Sequence, residues 1–255
     1  MEFMTMTPEL LETEHICCAL GAKAYEEAVS GKKSWLKDRM AEGLVFYRLN
    51  ERAKVFIEYL PAEAAWVPLD APNFMMINCL WVSGKYKGQG YGRRLLEHCI
   101  EDARNRGMDG IVHVLAGKKM PYLSERKFFL HHGFQIVDEA GPYYELAVLQ
   151  WNDSAPRPVF RQEARSLAVN QPGIVVYYTQ QCPFAFGVLQ EWRAAAAERG
   201  IPFCAHLLNS REEAQRAPVP WTTFSFFYNG KYVSHEMMSR GKFERMLDGM
   251  PGGNQ

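Results

Sequence analysis

The chain has no surplus of either charge: 29 lysines and arginines stand against 29 aspartates and glutamates. Without a basic excess there is no general electrostatic reason to bind nucleic acid. Long apolar runs are missing too. No stretch approaches the roughly 20 residues of a membrane span, and the N-terminal Met1-Glu2-Phe3-Met4-Thr5-Met6-Thr7 has neither a basic region nor an apolar signal core. The expected setting is the cytoplasm, off the membrane. The six cysteines, Cys17, Cys18, Cys79, Cys99, Cys182 and Cys204, show no framework spacing, which fits a reducing compartment. Cys17-Cys18 beside His15, His98-Cys99 and His131-His132 suggest a metal at first sight. Neighbours on a strand point to opposite faces, however, and neighbours on a helix diverge by about 100°, so no metal is expected. Internal repeats and low-complexity segments are absent, and so are the Walker ending Gly-Lys-Ser/Thr and the dinucleotide spacing Gly-x-Gly-x-x-Gly.

What is present is 47% hydrophobic content over 255 residues, enough for two cores. The most informative stretch runs from Phe74 to Leu96. Phe74 to Val82 is apolar and continuous, as in a buried strand, and from Tyr91 the apolar residues Leu95, Leu96, Ile100 and Ala103 recur at helical spacing. Between them, Gly88, Gly90 and Gly92 remove the side chains that would keep an anion from the backbone, while Lys87, Arg93 and Arg94 add positive charge. A helix N-terminus and each nearby cation contribute about 0.3–1 kcal/mol apiece, so a pyrophosphate is held only by several such terms together.

The step Lys87-x-x-Gly90-x-Gly92, with a long strand before it and Leu95-Leu96 after it, resembles the acyl-CoA pyrophosphate loop of the GNAT superfamily of N-acyltransferases. The family usually has Gln or Arg where this chain has Lys87, which contacts a phosphate as a point charge without the planar fork of Arg. The resemblance covers most of residues 1–150. It implies acetyl-CoA as cosubstrate, held by Lys87, Gly88, Gln89, Gly90, Tyr91, Gly92 and Arg93, with the pantetheine arm along Leu80, Trp81 and Val82. It also implies that the strands ending at Val82 and Leu115 splay apart.

Around this segment, Glu14 to Leu20 reads as a first strand and Lys32 to Glu42 as a helix with Trp35, Leu36 and Met40 on one side. Leu44 to Leu49 and Lys54 to Tyr59 read as a hairpin. Downstream come a strand at Ile111 to Leu115, a short helix from Ser124 to His132 closed by Gly133, and strands at Phe134 to Val137 and Tyr144 to Leu149.

Amine acylation needs a deprotonated amine, an activated carbonyl, an oxyanion donor and a proton for the departing thiolate. The resemblance places a backbone N–H near Val82 at the carbonyl oxygen. Glu58, which interrupts the apolar Val55-Phe56-Ile57, is the first candidate base; Asp70 and Asn78 follow. The family often carries a Tyr four residues before the helix-ending Gly as the acid. Phe129 stands there, which leaves Tyr122, Tyr143 or Cys79 to replace it. A thiol has a lower proton affinity than an alkoxide, so a dedicated acid is dispensable.

After Trp151 the composition shifts to prolines and polar turn-formers, and residues 151–170 read as a linker with one short helix. Residues 171–255 then give a strand at Ile174 to Tyr178, a helix at Phe186 to Glu198, a strand at Phe203 to Leu208, a hairpin across Asn229-Gly230 and a last helix at Gly241 to Met246. This order resembles a thioredoxin-like unit, with Cys182 at the end of a strand before a helix. In such enzymes the helix N-terminus lowers the pKa of that cysteine. Ala185 replaces the second cysteine of Cys-x-x-Cys, which excludes a dithiol cycle within the motif, and Pro220 is the candidate for the family's cis-proline.

A GNAT unit followed by such a domain resembles the YoaP type of two-domain bacterial acetyltransferase. The expected fold is α/β, a mixed central sheet flanked by helices plus a small thioredoxin-like domain. The expected activity is acetyl transfer to a small-molecule amine. Two other readings remain open: a thiol-reactive or soft-ligand-binding protein centred on Cys182, with or without Cys17 or Cys18, and a non-catalytic acyl-CoA sensor.

Overall fold

Strand parity organises the larger sheet in the computed structural model, which describes residues 2–21 and 23–250. In chain order its elements are β1 (Phe3–Thr5), α1 (Leu10–Thr13), α2 (Glu26–Met40), β2 (Val45–Leu49), β3 (Val55–Pro61), β4 (Leu69–Asp70), β5 (Phe74–Val82), α3 (Tyr91–Asn105), β6 (Gly110–Ala116), α4 (Arg126–His131), β7 (Gln135–Ala140) and β8 (Tyr144–Gln150). Seven of these strands form one mixed sheet in the order β1-β2-β3-β5-β6-β8-β7. Only β5 and β6 run parallel, because α3 carries the chain back across the sheet between them.

Alternate residues of β3, β5 and β6 enter two different cores. Ile57, Tyr59, Met75, Ile77, Ile111 and Leu115 pack with Leu95, Leu96, Cys99 and Ala103 of α3. Phe56, Leu60, Phe74, Met76, Val112 and Val114 pack on the opposite face with Trp35 and Leu36 of α2. A sheet covered on both faces explains why these strands read as continuous apolar runs.

The remaining chain gives β9 (Val159–Phe160), β10 (Ile174–Tyr178), α5 (Phe184–Glu198), β11 (Phe203–Leu207), α6 (Arg211–Gln215), β12 (Phe224–Tyr228), β13 (Lys231–Ser234) and α7 (Arg240–Asp248). Four strands form a second sheet, β11-β10-β12-β13, with β10 parallel to β11 and the other neighbours antiparallel. The β12–β13 turn takes the two left-handed residues a tight hairpin needs, Asn229 and Gly230.

Three expectations are corrected and one element is added. Residues 14–20 form no strand: Cys17 and Ala19 have positive φ, and the segment is a turn, so Cys17 and Cys18 are not placed on opposite faces of a strand. The first strand is β1. Helix α6 has no counterpart in the sequence reading. Pro220 is not a cis-proline, since the one cis peptide bond among the described residues is Gly141–Pro142. Segment 151–170 does more than link: besides the short helix Glu163–Arg165 it supplies β9, which pairs with β4, and buries Phe160 and Ala164.

The two sheets share one core. Trp35, Trp66 and Phe74 belong to the same buried cluster as Val175, Leu208, Trp221 and Phe227. Polar contacts reinforce the seam. Gln215 Nε2 donates to the carbonyls of Glu63 and Ala65 at 3.1 and 2.9 Å, Thr222 Oγ1 donates to the Trp66 carbonyl, and His235 Nε2 bonds the Pro121 carbonyl at 2.8 Å.

Candidate active site

Between the end of β5 and the start of α3 the chain turns through Gly88 and Gly90, whose φ values of +74° and +79° lie in the left-handed region. A Cβ on either would meet nothing within 4 Å. These glycines are therefore not filling a crowded spot; they set the backbone and leave the outer side of the loop bare. Gly92 differs, because a Cβ there would stand 3.3 Å from the Phe128 ring. The first turn of α3, where a helix's own N–H groups lack a carbonyl one turn back, borders this space through Gly92 and Arg93. A cleft follows the loop, walled by Leu80, Trp81, Val82, Lys87, Gly88, Gly90, Tyr91, Gly92 and Arg93 on one side and by Ser124, Phe128 and Phe129 on the other. Gln89 is turned away, its amide donating to the Lys85 carbonyl. The Arg93 guanidinium is engaged by Glu97 at 2.7 Å, and Arg94 lies 4.6 Å over the Phe3 ring. Lys87 stands exposed at the turn and walls the cleft.

The strands behind the cleft do separate. β5 and β6 pair only from Phe74↔Gly110 to Ile77↔His113, although they continue to Val82 and Ala116. On its other side β5 stays paired with β3, but the register slips so that Glu58 faces Cys79 and Tyr59 faces Ile77. Asn78 is the extra residue of a β-bulge, which bends β5 away from β6 and re-aims its own side chain. The β6-facing backbone of residues 79–82 is left without a strand partner. At the apex sits His113, bonded through Nδ1 to the Ile77 carbonyl at 2.8 Å and packed 4.6 Å from Phe129. Burial lowers its pKa to about 4.

On the other side of β5 lies a cavity of about 310 Å³. Its walls come from the turn at Cys17 and Cys18, from Lys32 of α2, from Lys54 and Phe56, and from Asn78 to Trp81. Tyr122 and Ser124 close one side, and Gln181, Cys182, Phe184, Trp221, Thr223 and Met237 form the roof. Leu80, Trp81 and Ser124 wall both hollows, so cleft and cavity meet along the bent end of β5.

Beneath the cavity floor is a buried polar triad. Glu58 accepts from Lys32 Nζ at 2.9 Å and from Asn78 Nδ2 at 3.1 Å, and is 0% exposed. Lys32 Nζ also reaches Cys18 Sγ at 3.6 Å. Burial alone would lower the Lys32 pKa; the Cys18 thiol and the Glu58 carboxylate outweigh it and raise the pKa, holding the ammonium. Glu58 was expected to direct a carboxylate toward an amine. The structure instead gives both of its oxygens partners, because strand parity sets it on the face shared by Phe56 and Leu60, which α2 covers.

Of the other candidates, Tyr122 stands in the cavity wall with its hydroxyl donating to the Met237 carbonyl at 3.1 Å. Asp70 pairs with Arg161 at 2.9 Å beside β9, lining neither hollow. Tyr143 bonds Tyr232 and His235 across the seam. Burial pushes Cys182 up to about 12, the reverse of the expected helix effect, and Cys79 well above the ordinary thiol range. Among the described residues no group of three His, Cys, Asp or Glu side chains is placed to hold a metal ion, and no helix is long and apolar enough to cross a membrane.

Lys32, Lys54 and His113 were not singled out from the sequence. Two of them carried a signal. Lys32 lies three and four residues before Trp35 and Leu36, on the core side of its helix, and His113 interrupts the apolar β6.

Residues 12–134 match the acetyltransferase (GNAT) family, and residues 202–245 match the YoaP-like family. Among solved structures, the PaiA N-acetyltransferase of Thermoplasma acidophilum in complex with coenzyme A is 15% identical, with a TM-score of 0.41, covering 59% of this chain and 100% of its own. An acetyltransferase from Thermus thermophilus is 16% identical, with a TM-score of 0.42, covering 59% and 96%. A curated relative from Bacillus subtilis (strain 168), described as an uncharacterized N-acetyltransferase YoaP, is 55% identical over 248 residues, 97% of this chain and 99% of the relative. With that identity over nearly the whole of both sequences, and a cleft built on the loop the first family match spans, the chain belongs to the YoaP type of GNAT N-acetyltransferases.

Proposed function

We propose that the protein transfers the acetyl group of acetyl-CoA to the amine of a small molecule by direct attack within a ternary complex. The carrying observation is the meeting of two hollows at the bent end of β5: one beside a bare glycine turn, the other smaller and mostly apolar. The residues present fit the cosubstrate. The bare backbone at Gly88 and Gly90, the starting N–H groups of α3 and Lys87 suit a pyrophosphate, with Gln89, Tyr91, Gly92 and Arg93 completing the loop. The unpaired edge at Leu80, Trp81 and Val82 suits an amide-bearing arm. Bound there, acetyl-CoA supplies an activated thioester.

The chain's own residues do the rest. The N–H near Val82 stabilises charge on the carbonyl oxygen. Asn78, aimed by the bulge and fixed by Glu58, orients the amine, while Glu58, with both oxygens engaged, holds Asn78 and Lys32 in place. Tyr122 donates to the departing sulfur on leaving the Met237 carbonyl. The C-terminal unit, which we read as thioredoxin-like, roofs the acceptor cavity, and residues 1–150, 151–170 and 171–255 serve as acetyltransferase unit, connector and roof. A reactive thiolate at Cys182 is disfavoured, since its burial keeps the thiol protonated at neutral pH. Acetyl-CoA and six unpaired cysteines together suit the cytoplasm.

The test is calorimetric titration with acetyl-CoA, comparing wild type with Gly90→Glu, followed by thiol release with a panel of amines. Micromolar binding abolished by the added carboxylate, with turnover of an amine, is the expected result. No binding by the wild type would overturn the proposal, and binding without turnover of any amine would make the protein a sensor.

A further inference from the structure

The charged side chains lining the cavity are all of one sign. Its walls contain two ammonium groups, Lys32 and Lys54, and no aspartate or glutamate. Glu58, the nearest carboxylate, lies beneath the floor with both oxygens occupied and compensates Lys32 alone. Among the described residues no carboxylate forms an ion pair with Lys54. The remaining surface is thiol, amide, hydroxyl, aromatic and aliphatic, and the volume of about 310 Å³ lies at the lower end for small-molecule sites. A polyamine or aminoglycoside brings several positive charges into such a space and finds nothing to pair with them. An amine that also carries an anionic group leaves its anion on Lys54 and its apolar part against Phe56, Phe184 and Trp221.

Resting on the acetyl-transfer reading above, we propose that the acceptor is a small amine bearing a carboxylate or similar oxyanion together with an apolar group, an apolar amino acid being the simplest case, and that Lys54 selects it. The C-terminal unit then takes part in the choice, because Phe184 and Trp221 come from it. The reaction balances without a further reactant: the acceptor nitrogen forms a bond to the acetyl carbon, the carbon–sulfur bond breaks, and the proton lost by nitrogen offsets the one gained by the coenzyme thiol.

The experiment compares matched acceptors that differ only in the anion, phenylalanine against phenethylamine and leucine against isopentylamine, with spermidine as the polycation. Thiol release is followed at saturating acetyl-CoA, and binding of each acceptor to the protein–CoA complex is measured by calorimetry. The carboxylated member of each pair is expected to be preferred about 10- to 100-fold, the range for a hydrogen bond to a charged group. Lys54→Glu should erase or invert that preference while leaving acetyl-CoA affinity in place. Equal or better use of phenethylamine or spermidine, or failure of every carboxylated acceptor to bind or react while acetyl-CoA still binds, overturns the inference and leaves the cosubstrate site standing. Loss of acetyl-CoA binding in the wild type removes the acetyl-transfer reading itself.

Discussion

Lys32 and Glu58 show what a single buried pair does to a site. Taking two charges out of water costs several kcal/mol each, and such pairs are weak evidence for stability. This one stands at the junction of α2, β3 and the bulge of β5, where it fixes Asn78 and keeps an ammonium at the cavity wall. His113 is the other residue whose surroundings set its state. Its pKa falls from 6.5 to about 4 because burial penalises the charged ring, and Nδ1 is engaged by the Ile77 carbonyl. A histidine with a depressed folded pKa binds fewer protons when folded. Its favourable contribution is therefore complete above pH 6.5 and is lost as the pH falls from 6.5 toward 4, amounting to about 3 kcal/mol. Urea titrations of wild type and His113→Gln across that window should show a steeper acid loss in the wild type. Parallel curves would remove His113 from the acid response.

At the scale of elements, the apolar strand Phe74 to Val82 and the helix from Tyr91 were legible to the residue at both strand ends and at the helix start. A buried strand and an amphipathic helix each write their period into the sequence. The turn at residues 14–20 was not legible, because a short apolar run carries no period that separates a strand from a buried turn. The close packing of α5 on Tyr25 was equally silent. A Cβ at Gly187 would come within 2.6 Å of the Tyr25 ring, a distance real side chains do not reach. Gly187→Val should thus lower stability by about 1–3 kcal/mol, the usual range for overpacking, read as a lower urea midpoint at unchanged slope. A midpoint equal to that of wild type would show that α5 can move off Tyr25 freely.

Across the whole molecule, the decisive feature is the core that runs from Trp35 and Trp66 to Trp221 and Phe227. A unit joined to its neighbour by a hydrophobic seam does not behave as a module on a tether. Thermal or urea unfolding should be one transition, coincident by far-ultraviolet circular dichroism and by tryptophan fluorescence, since Trp192 lies in the second unit's own core and Trp35 at the seam. Two separated transitions would show that the units unfold independently. The same seam makes the roof of the cavity a constant part of the structure.

By itself the sequence determined the glycine turn, the helix after it, the strands around it and the second β-α-β, β-β-α run, because those are short-range patterns of period, turn chemistry and missing side chains. Tertiary structure alone decided that Glu58 is sealed beneath Lys32 and Asn78, that the half-buried Cys182 thiol has its pKa raised rather than lowered, and that Cys18, Cys79 and Cys182 share one cavity with Lys54. Which face of a strand is covered, and by what, depends on where a helix or a sheet distant in the chain comes to rest. Burial sets the charge and reach of every polar group there.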